Sequence, residues 1–293
     1  MINNDAQIGF TSSDLFCLPT LVMLDSFFRN NKSKYIFNFV FYDTSKETRN
    51  RFKKIIEENG CEYKEWKVNE ELFKDFILLK RFGYTTYFRI VFPFIVDNNC
   101  KKLLWIDSDT VVNGSIEKLF KNDLTFALYG VNMPEKECLH RLGLSEEEPY
   151  VNCGVILYNV EKIKSAYSLE NALTVFSKEK DKFTYVDQCF LNLFYRNDIG
   201  TIDSIYNDII YRVNAYSKTQ IEQKSKIDII LHFVGNIKPW KYLYDNKICS
   251  IYWKYGRRVY GEFYYFKWYV ISHCFIIFSP IVKLIKKTRK VNI

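Results

Sequence analysis

An α/β fold, a mixed and mostly parallel sheet flanked by helices, is what the sequence predicts, on three observations. Apolar stretches of strand length alternate with amphipathic stretches of helix length over residues 7–79, a β-α-β-α order that implies parallel strands joined by crossover helices. Leu103-Leu104-Trp105-Ile106 is an unbroken apolar run, as expected of a strand buried on both faces. That run stops at Asp107-Ser108-Asp109, two acids at a strand's carboxyl end, the edge where open α/β sheets bind ligands.

In chain order, residues 7–11 read as a strand and 16–28 as a helix with Pro19 near its start. Residues 35–42 alternate and are aromatic, which suits a strand. Thr44 stands three residues before Glu47, the spacing of a capping box, and opens a helix that Gly60 stops after Asn59. Residues 61–68 read as a strand and 70–79 as a helix. Residues 85–95 form an apolar helix carrying Arg89 and ended or kinked by Pro93. Beyond the acidic strand come a turn at Asn113-Gly114-Ser115, a short helix over 116–120 and a strand over 126–131. Residues 140–149 are polar and acidic, a surface loop. Residues 150–158 form a strand in which Gly154 marks either a bulge or the close approach of another group. One helix is predicted over 161–179 and another over 186–197, then a strand over 227–234 with His232 near its end.

A chain of 293 residues, 48% of them hydrophobic, has material for one large domain, or a domain with an appendage, around a sizeable core. Its eight cysteines stand singly with no CxxC, which argues against a disulfide framework and a structural zinc site. Met1 to Ala6 carry no basic n-region and no signal-peptide apolar core, so a cytoplasmic location is expected. The net charge of +8 is local: residues 254–293 hold nine Lys or Arg against Glu262, and residues 1–253 are formally neutral. That distribution describes a basic tail, not a nucleic-acid-binding face. Residues 262–282 are aromatic and apolar, and Lys283 to Lys290 follow as a basic cluster. Lys267, His273 and Pro280 disfavour a membrane span, so residues 251–293 are expected to lie on an anionic membrane surface, with a true span and a buried core helix as the alternatives, after a catalytic domain over 1–250.

Asp107 and Asp109 repel unless a cation lies between them, which points to a divalent metal that grips a phosphate-bearing substrate. The plain alternative is a solvated turn, where Asp and Ser are ordinary residues. Arg89 suits either a salt-bridged or snorkelling residue on an apolar helix or a contact to phosphate. Asp187 suits a helix N-terminus. His232 is either a packed strand residue or a metal ligand beside the cation of Lys238.

Four separated stretches, TTYFRI around Arg89, LLWIDSDTVV, YVNCGV around Asn152 and HFVGNIKPW, together resemble glycosyltransferase family eight over about residues 7–245. That family comprises retaining sugar-nucleotide transferases, including bacterial lipooligosaccharide galactosyltransferases and glycogenin. The resemblance implies a GT-A fold, Rossmann-like, in which Mn²⁺ (with Mg²⁺ as the alternative) bridges protein and donor diphosphate. It implies Asp107, Asp109 and His232 as metal ligands. Thr11, Arg89, Ser108, Asn152, Gly154, Gly235 and Lys238 would contact the donor, a UDP-sugar. Asp187 would hold sugar hydroxyls, and Gln188 would lie beneath the anomeric carbon. The acceptor would be a saccharide or lipid-linked oligosaccharide at the inner face of a membrane.

The sequence departs from the family pattern twice. Ser13 stands where the N-terminal motif usually has an acid, with Asp14 adjacent, and Cys189 ends the family's DQD, removing an acid expected beside the sugar. Asp107-Ser108-Asp109-Thr110-Val111 also fits the nucleophile strand of haloacid-dehalogenase-like phosphatases. That motif belongs near a domain's start and needs a late GDxxxD, which this chain lacks. A non-catalytic, membrane-associated sugar-nucleotide-binding protein is the reading that the two departures favour and the intact acids, imidazole and lysine oppose.

Overall fold

The computed structural model describes residues 2–73, 83–121, 123–210, 216–235, 238–241 and 248–271. The N-terminal part runs β1 (Ile2–Thr11), α1 (Cys17–Asn30), β2 (Lys34–Phe41), α2 (Lys46–Glu58), β3 (Glu62–Lys67), α3 (Phe88–Ile95) and β4 (Lys102–Ile106). The acidic turn leads into β5 (Thr110–Val112), α4 (Glu117–Lys121), β6 (Leu128–Asn132), α5 (Lys136–Leu142) and β7 (Val151–Asn159). Then follow α6 (Val160–Ala166), α7 (Leu169–Glu179), α8 (Val186–Phe194), β8 (Ile199–Ile202), β9 (Asp208–Ile209), α9 (Lys218–Ile227), β10 (Ile230–His232) and α10 (Cys249–Tyr260).

Seven of these strands form one sheet in the order β3-β2-β1-β4-β7-β6-β8, and three form a smaller one, β5-β10-β9. β1 is parallel to β2 and β4, and β2 to β3, as the alternating order predicts. β7 runs antiparallel to β4 with Ile106 opposite Val155, so the first residues of β7 lie beside the acids that end β4. Antiparallel β5 and β10 set Thr110 opposite His232. These two registers bring three distant stretches to one edge.

The core follows from strand alternation. In β4, Leu103 and Trp105 face one apolar cluster while Leu104 and Ile106 face a second. All four are fully buried, and each contributes about 1.5–3 kcal/mol by leaving water. Pro93 neither ends nor breaks α3. The carbonyl its missing N–H would have served, that of Arg89, accepts from the Tyr158 hydroxyl at 2.9 Å.

Several local expectations change. Ser45, not Thr44, caps α2, accepting from the Thr48 N–H at 3.2 Å, while the Thr44 hydroxyl donates to the Ser12 carbonyl at 3.0 Å. The helix expected over 161–179 is two, because Ser168 caps α7 by accepting from the Asn171 N–H at 3.1 Å. Residues 140–142 of the expected loop finish α5, which Gly143 closes at φ +65. The strand over 227–234 shrinks to β10 because α9, absent from the expectations above although Ser217 and Gln220 have capping-box spacing, extends to Ile227. Glu70–Phe73 is a 3-10 turn, and the rest of the helix expected over 70–79 lies outside the described residues.

The boundary expected at residue 251 falls inside α10. Ile251, Tyr252, Trp253 and Tyr255 are buried and share a cluster with Val22 of α1, Val111 of β5 and Leu231 and Phe233 at β10. After Gly261, residues 262–271 are helical; Trp268 packs on Trp253 at 4.8 Å, while Phe263, Phe266, Tyr269 and Val270 are exposed. The basic cluster at 283–290 lies outside the described residues. Among the described residues no helix is long and apolar enough to cross a membrane.

Candidate active site

The acid pair is fixed through its backbone. The Asp107 N–H donates to the Gly154 carbonyl at 2.8 Å, and the Asp109 carbonyl accepts from the Phe233 N–H at 3.0 Å. His232 Nε2 consequently lies 3.2 Å from Asp109 Oδ1 and 3.9 Å from Asp107 Oδ2. One ligating atom from each residue lies within 4.8 Å of the other two. Burial, reinforced by Asp109, holds the Asp107 carboxyl above its ordinary range against the pull of Arg89. Burial acts the same way on Asp109, but His232 and Lys238 outweigh it and hold that carboxyl well below the usual range. Two carboxylate oxygens and an imidazole nitrogen converging on one point fit a divalent cation that takes O and N ligands.

Arg89 forms the floor. Its guanidinium lies 2.8 Å from Asp107 Oδ1, 3.1 Å from Asp187 Oδ2, and donates to the Cys153 carbonyl. One buried cation thus spaces two partly buried acids. Burial pushes the Asp187 carboxyl up to about 6, with Arg89 opposing.

Asn152 joins the pieces: its Oδ1 accepts from the Gly154 N–H at 3.0 Å and its Nδ2 donates to Gln188 Oε1 at 2.9 Å. Gly154 lies under the His232 ring, so of the two possibilities that its sequence position allows it is the close approach that holds. Asn207, which sequence pattern does not single out, takes His232 Nδ1 at 3.0 Å on one side and Asn152 Oδ1 at 2.9 Å on the other. A lone Asn before a two-residue strand has no periodic signal that would reveal it.

The remaining donor candidates fall on the same edge. Lys238 Nζ donates to Asp109 Oδ2 at 2.5 Å and to the Phe233 carbonyl at 2.6 Å. Gly235 has φ +70, a backbone conformation that other residues seldom adopt, and among the described residues nothing lies within 4 Å of where a Cβ would be. The Ser108 hydroxyl donates to the Thr11 carbonyl at 2.5 Å and the Thr11 hydroxyl to the Val40 carbonyl at 2.7 Å, tying the ends of β1 and β2 to the acidic turn.

Of the two departures, Cys189 is fully buried, with its Sγ 3.3 Å from the Tyr150 hydroxyl and taking the Tyr185 N–H at 3.3 Å. The side chain at that position belongs to the core of this chain. Ser13 precedes the 3-10 turn Asp14–Phe16, and Asp14 accepts from the Ser45 hydroxyl at 2.7 Å.

A family model described as glycosyl transferase family 8 matches residues 7–244. Lipopolysaccharide 1,3-galactosyltransferase of Salmonella typhimurium is 24% identical over 211 residues, covering 68% of this chain and 61% of that protein. Glycosyltransferase GlyF of Streptococcus pneumoniae is 24% identical over 193 residues, covering 64% of this chain and 46% of that protein. The chain therefore spans roughly half to three fifths of the length of these relatives. Among solved structures, an active-site mutant of LgtC superposes with a TM-score of 0.73 at 20% identity, over 85% of this chain and 94% of that one. The apo form of GlyE from Streptococcus pneumoniae gives 0.67 at 20% identity, over 94% of this chain and 64% of that one. These likenesses show the GT-A fold. The family match runs from the first strand past the imidazole strand, covering every element that supplies the acid pair and its neighbours, and on that extent the chain belongs to glycosyltransferase family 8.

Proposed function

We propose that this chain is a metal-dependent, retaining glycosyltransferase that moves a hexose, galactose or glucose, from a UDP-sugar to a saccharide or lipid-linked oligosaccharide acceptor. The observation that carries this reading is the convergence of Asp107, Asp109 and His232 at the sheet edge, with Lys238 beside them. Relatives named lipopolysaccharide 1,3-galactosyltransferase and lipopolysaccharide 1,2-glucosyltransferase support the choice of sugars and acceptor class. An LgtC structure with donor and acceptor sugar analogues supports the two-substrate reading.

In this reading Asp107, Asp109 and His232 hold Mn²⁺, or Mg²⁺, which when bound offsets the negative charge that develops on the departing diphosphate. Lys238 supplies a second positive charge at the same edge. Arg89 keeps Asp107 and Asp187 apart and aligned. Asp187 receives the sugar hydroxyls, and Gln188, braced by Asn152, lies beneath the anomeric carbon. Retention by double displacement would need a free carboxylate nucleophile. Asp187 is the local candidate, but its engagement with Arg89 3.1 Å away favours front-face attack instead.

The exposed Phe263, Phe266 and Val270, spaced three and four residues apart along one helix, support attachment to the inner face of a membrane, assisted by the basic residues of 283–290. The attaching segment in this reading begins after α10 rather than at residue 251. The test is UDP release by the purified full chain from UDP-galactose and UDP-glucose, with and without Mn²⁺ or Mg²⁺. Metal-dependent release is expected. Metal-independent phosphate release from simple phosphate esters would favour the phosphatase, and binding without turnover the non-catalytic protein.

A further inference from the structure

We propose that Asn207 is a positioning residue of this site: it holds the His232 imidazole in the one tautomer that can ligate a cation between the acids. The inference rests on the metal reading above and extends it to a residue outside the ligand set.

The starting point is a group that cannot turn round, the backbone N–H of Gly154. It donates to Asn152 Oδ1 at 3.0 Å, which fixes which end of that amide is oxygen. The other end, Nδ2, therefore donates to Gln188 Oε1 at 2.9 Å, and the Cys153 N–H approaches the same oxygen at 3.4 Å. Asn207 meets Asn152 Oδ1 at 2.9 Å, so it must present its NH₂ there. Its oxygen is left facing His232 Nδ1 at 3.0 Å. An oxygen at that position accepts, so Nδ1 carries the hydrogen, and Nε2 is the nitrogen that offers its lone pair once a cation replaces any hydrogen there. Nε2 is the atom directed at Asp109 and Asp107.

The opposite orientation of Asn207 would exclude a metal. With NH₂ toward the ring, Nδ1 would accept, Nε2 would carry the hydrogen, and that hydrogen would occupy the space between the carboxylates. Asn207 is 1% exposed and His232 4%, so water does not substitute for the amide. β9 sets this up: Ile209 pairs with His232 in parallel register, which places the residue before β9 alongside the imidazole strand. Because Asn152 also fixes Gln188, one backbone N–H sets both the metal-ligating nitrogen and the orientation of the catalytic amide.

The test compares Asn207→Leu, similar in shape but without an acceptor, and Asn207→Asp, which keeps one, in the full chain without donor. Mn²⁺ affinity is read by titration calorimetry, and the ring tautomer by nitrogen-15 NMR of the Mg²⁺-loaded wild type. Asn207→Leu is expected to weaken Mn²⁺ binding about 10- to 100-fold, with Asn207→Asp recovering most of the loss. The His232 ring is expected to carry its hydrogen on Nδ1. Wild-type Mn²⁺ affinity in Asn207→Leu, or a hydrogen on Nε2 of the Mg²⁺-loaded wild type, overturns the proposal. The second measurement stands even if Asn207→Leu does not fold. Mn²⁺ binding that needs Asp109 but ignores Asn207 would sink this inference alone, whereas no binding by the wild type would sink the metal reading with it.

Discussion

His232 lies directly over Gly154: a methyl group built on that glycine would sit 2.0 Å from the imidazole Cε1 and 2.5 Å from Nδ1. The glycine is held in the sheet through its own backbone, so the ring would have to move. Gly154→Ala should destabilise the protein by about 1–3 kcal/mol, the usual range for overpacking, and lower Mn²⁺ affinity at least about tenfold. Gly83→Ala, where among the described residues an added methyl group meets only the Thr85 hydroxyl at 4.0 Å, is the control. Thermal unfolding and calorimetry read both effects, and wild-type affinity in Gly154→Ala would contradict the prediction.

Asp109→Asn keeps the shape of the acidic turn but removes the charge that Lys238 and His232 face. Metal-dependent turnover should fall by about a hundredfold or more, consistent with loss of an electrostatic element of the transition state. Circular dichroism should remain that of the wild type. A variant that still turns over with Mn²⁺ would remove Asp109 from the ligand set.

Arg89 is the shared partner of Asp107 and Asp187. Arg89→Met leaves two partly buried carboxylates without their cation, and about 3–5 kcal/mol of stability should be lost. Arg89→Lys should recover only part of it, since a point charge cannot reach Asp107, Asp187 and the Cys153 carbonyl together. Urea unfolding of the two variants decides this, and a loss below about 1 kcal/mol in Arg89→Met would refute it.

Lys224 lies 2.6 Å from Asp208 and 3.6 Å from Asp228, one cation between two acids. Burial, then Asp208, pushes the Asp228 carboxyl up to about 6. The folded state therefore holds that proton more tightly than the unfolded chain does. The stability it contributes is complete below the ordinary carboxylate value and is lost as pH rises through about 6. With partial solvent screening, about 1 kcal/mol should disappear between roughly pH 4 and 7. Asp228→Asn should flatten that slope, as measured by urea midpoints across the range.

Phe263→Ser combined with Phe266→Ser should reduce sedimentation with anionic phosphatidylglycerol vesicles several-fold and leave hydrolysis of soluble UDP-sugar unchanged. Equal binding to neutral and anionic vesicles would argue against the part assigned to the basic residues of 283–290.

The site's acids are plain in the sequence because β4 is buried on both faces. A continuous apolar run that stops at once on two carboxylates marks a strand's end and its ligand edge together. The same signal fails where packing rather than pattern decides. Tyr167 and Ser168 do not disturb the apolar spacing of 161–179, so only cap chemistry marks the break between α6 and α7. β5 and β9 are three and two residues long, too short for any periodicity, yet they hold the imidazole strand in place. Cys189 reads as a sugar-pocket position from its neighbours in the DQ motif, although one further step along α8 turns its side chain into the core.

α10 stands behind the small sheet as a buttress: the Trp253 indole N–H donates to the Pro239 carbonyl at 3.0 Å, and its helix backs the strands that carry the imidazole and follow the acids. A polypeptide emerging from the ribosome therefore holds its aspartates before it owns the wall behind them, because α10 follows every strand of the small sheet in chain order. Deletion mapping inherits the same asymmetry. A chain cut at residue 250 would lose that wall, and only cuts beyond Tyr260 test the proposed membrane attachment with the small sheet still backed.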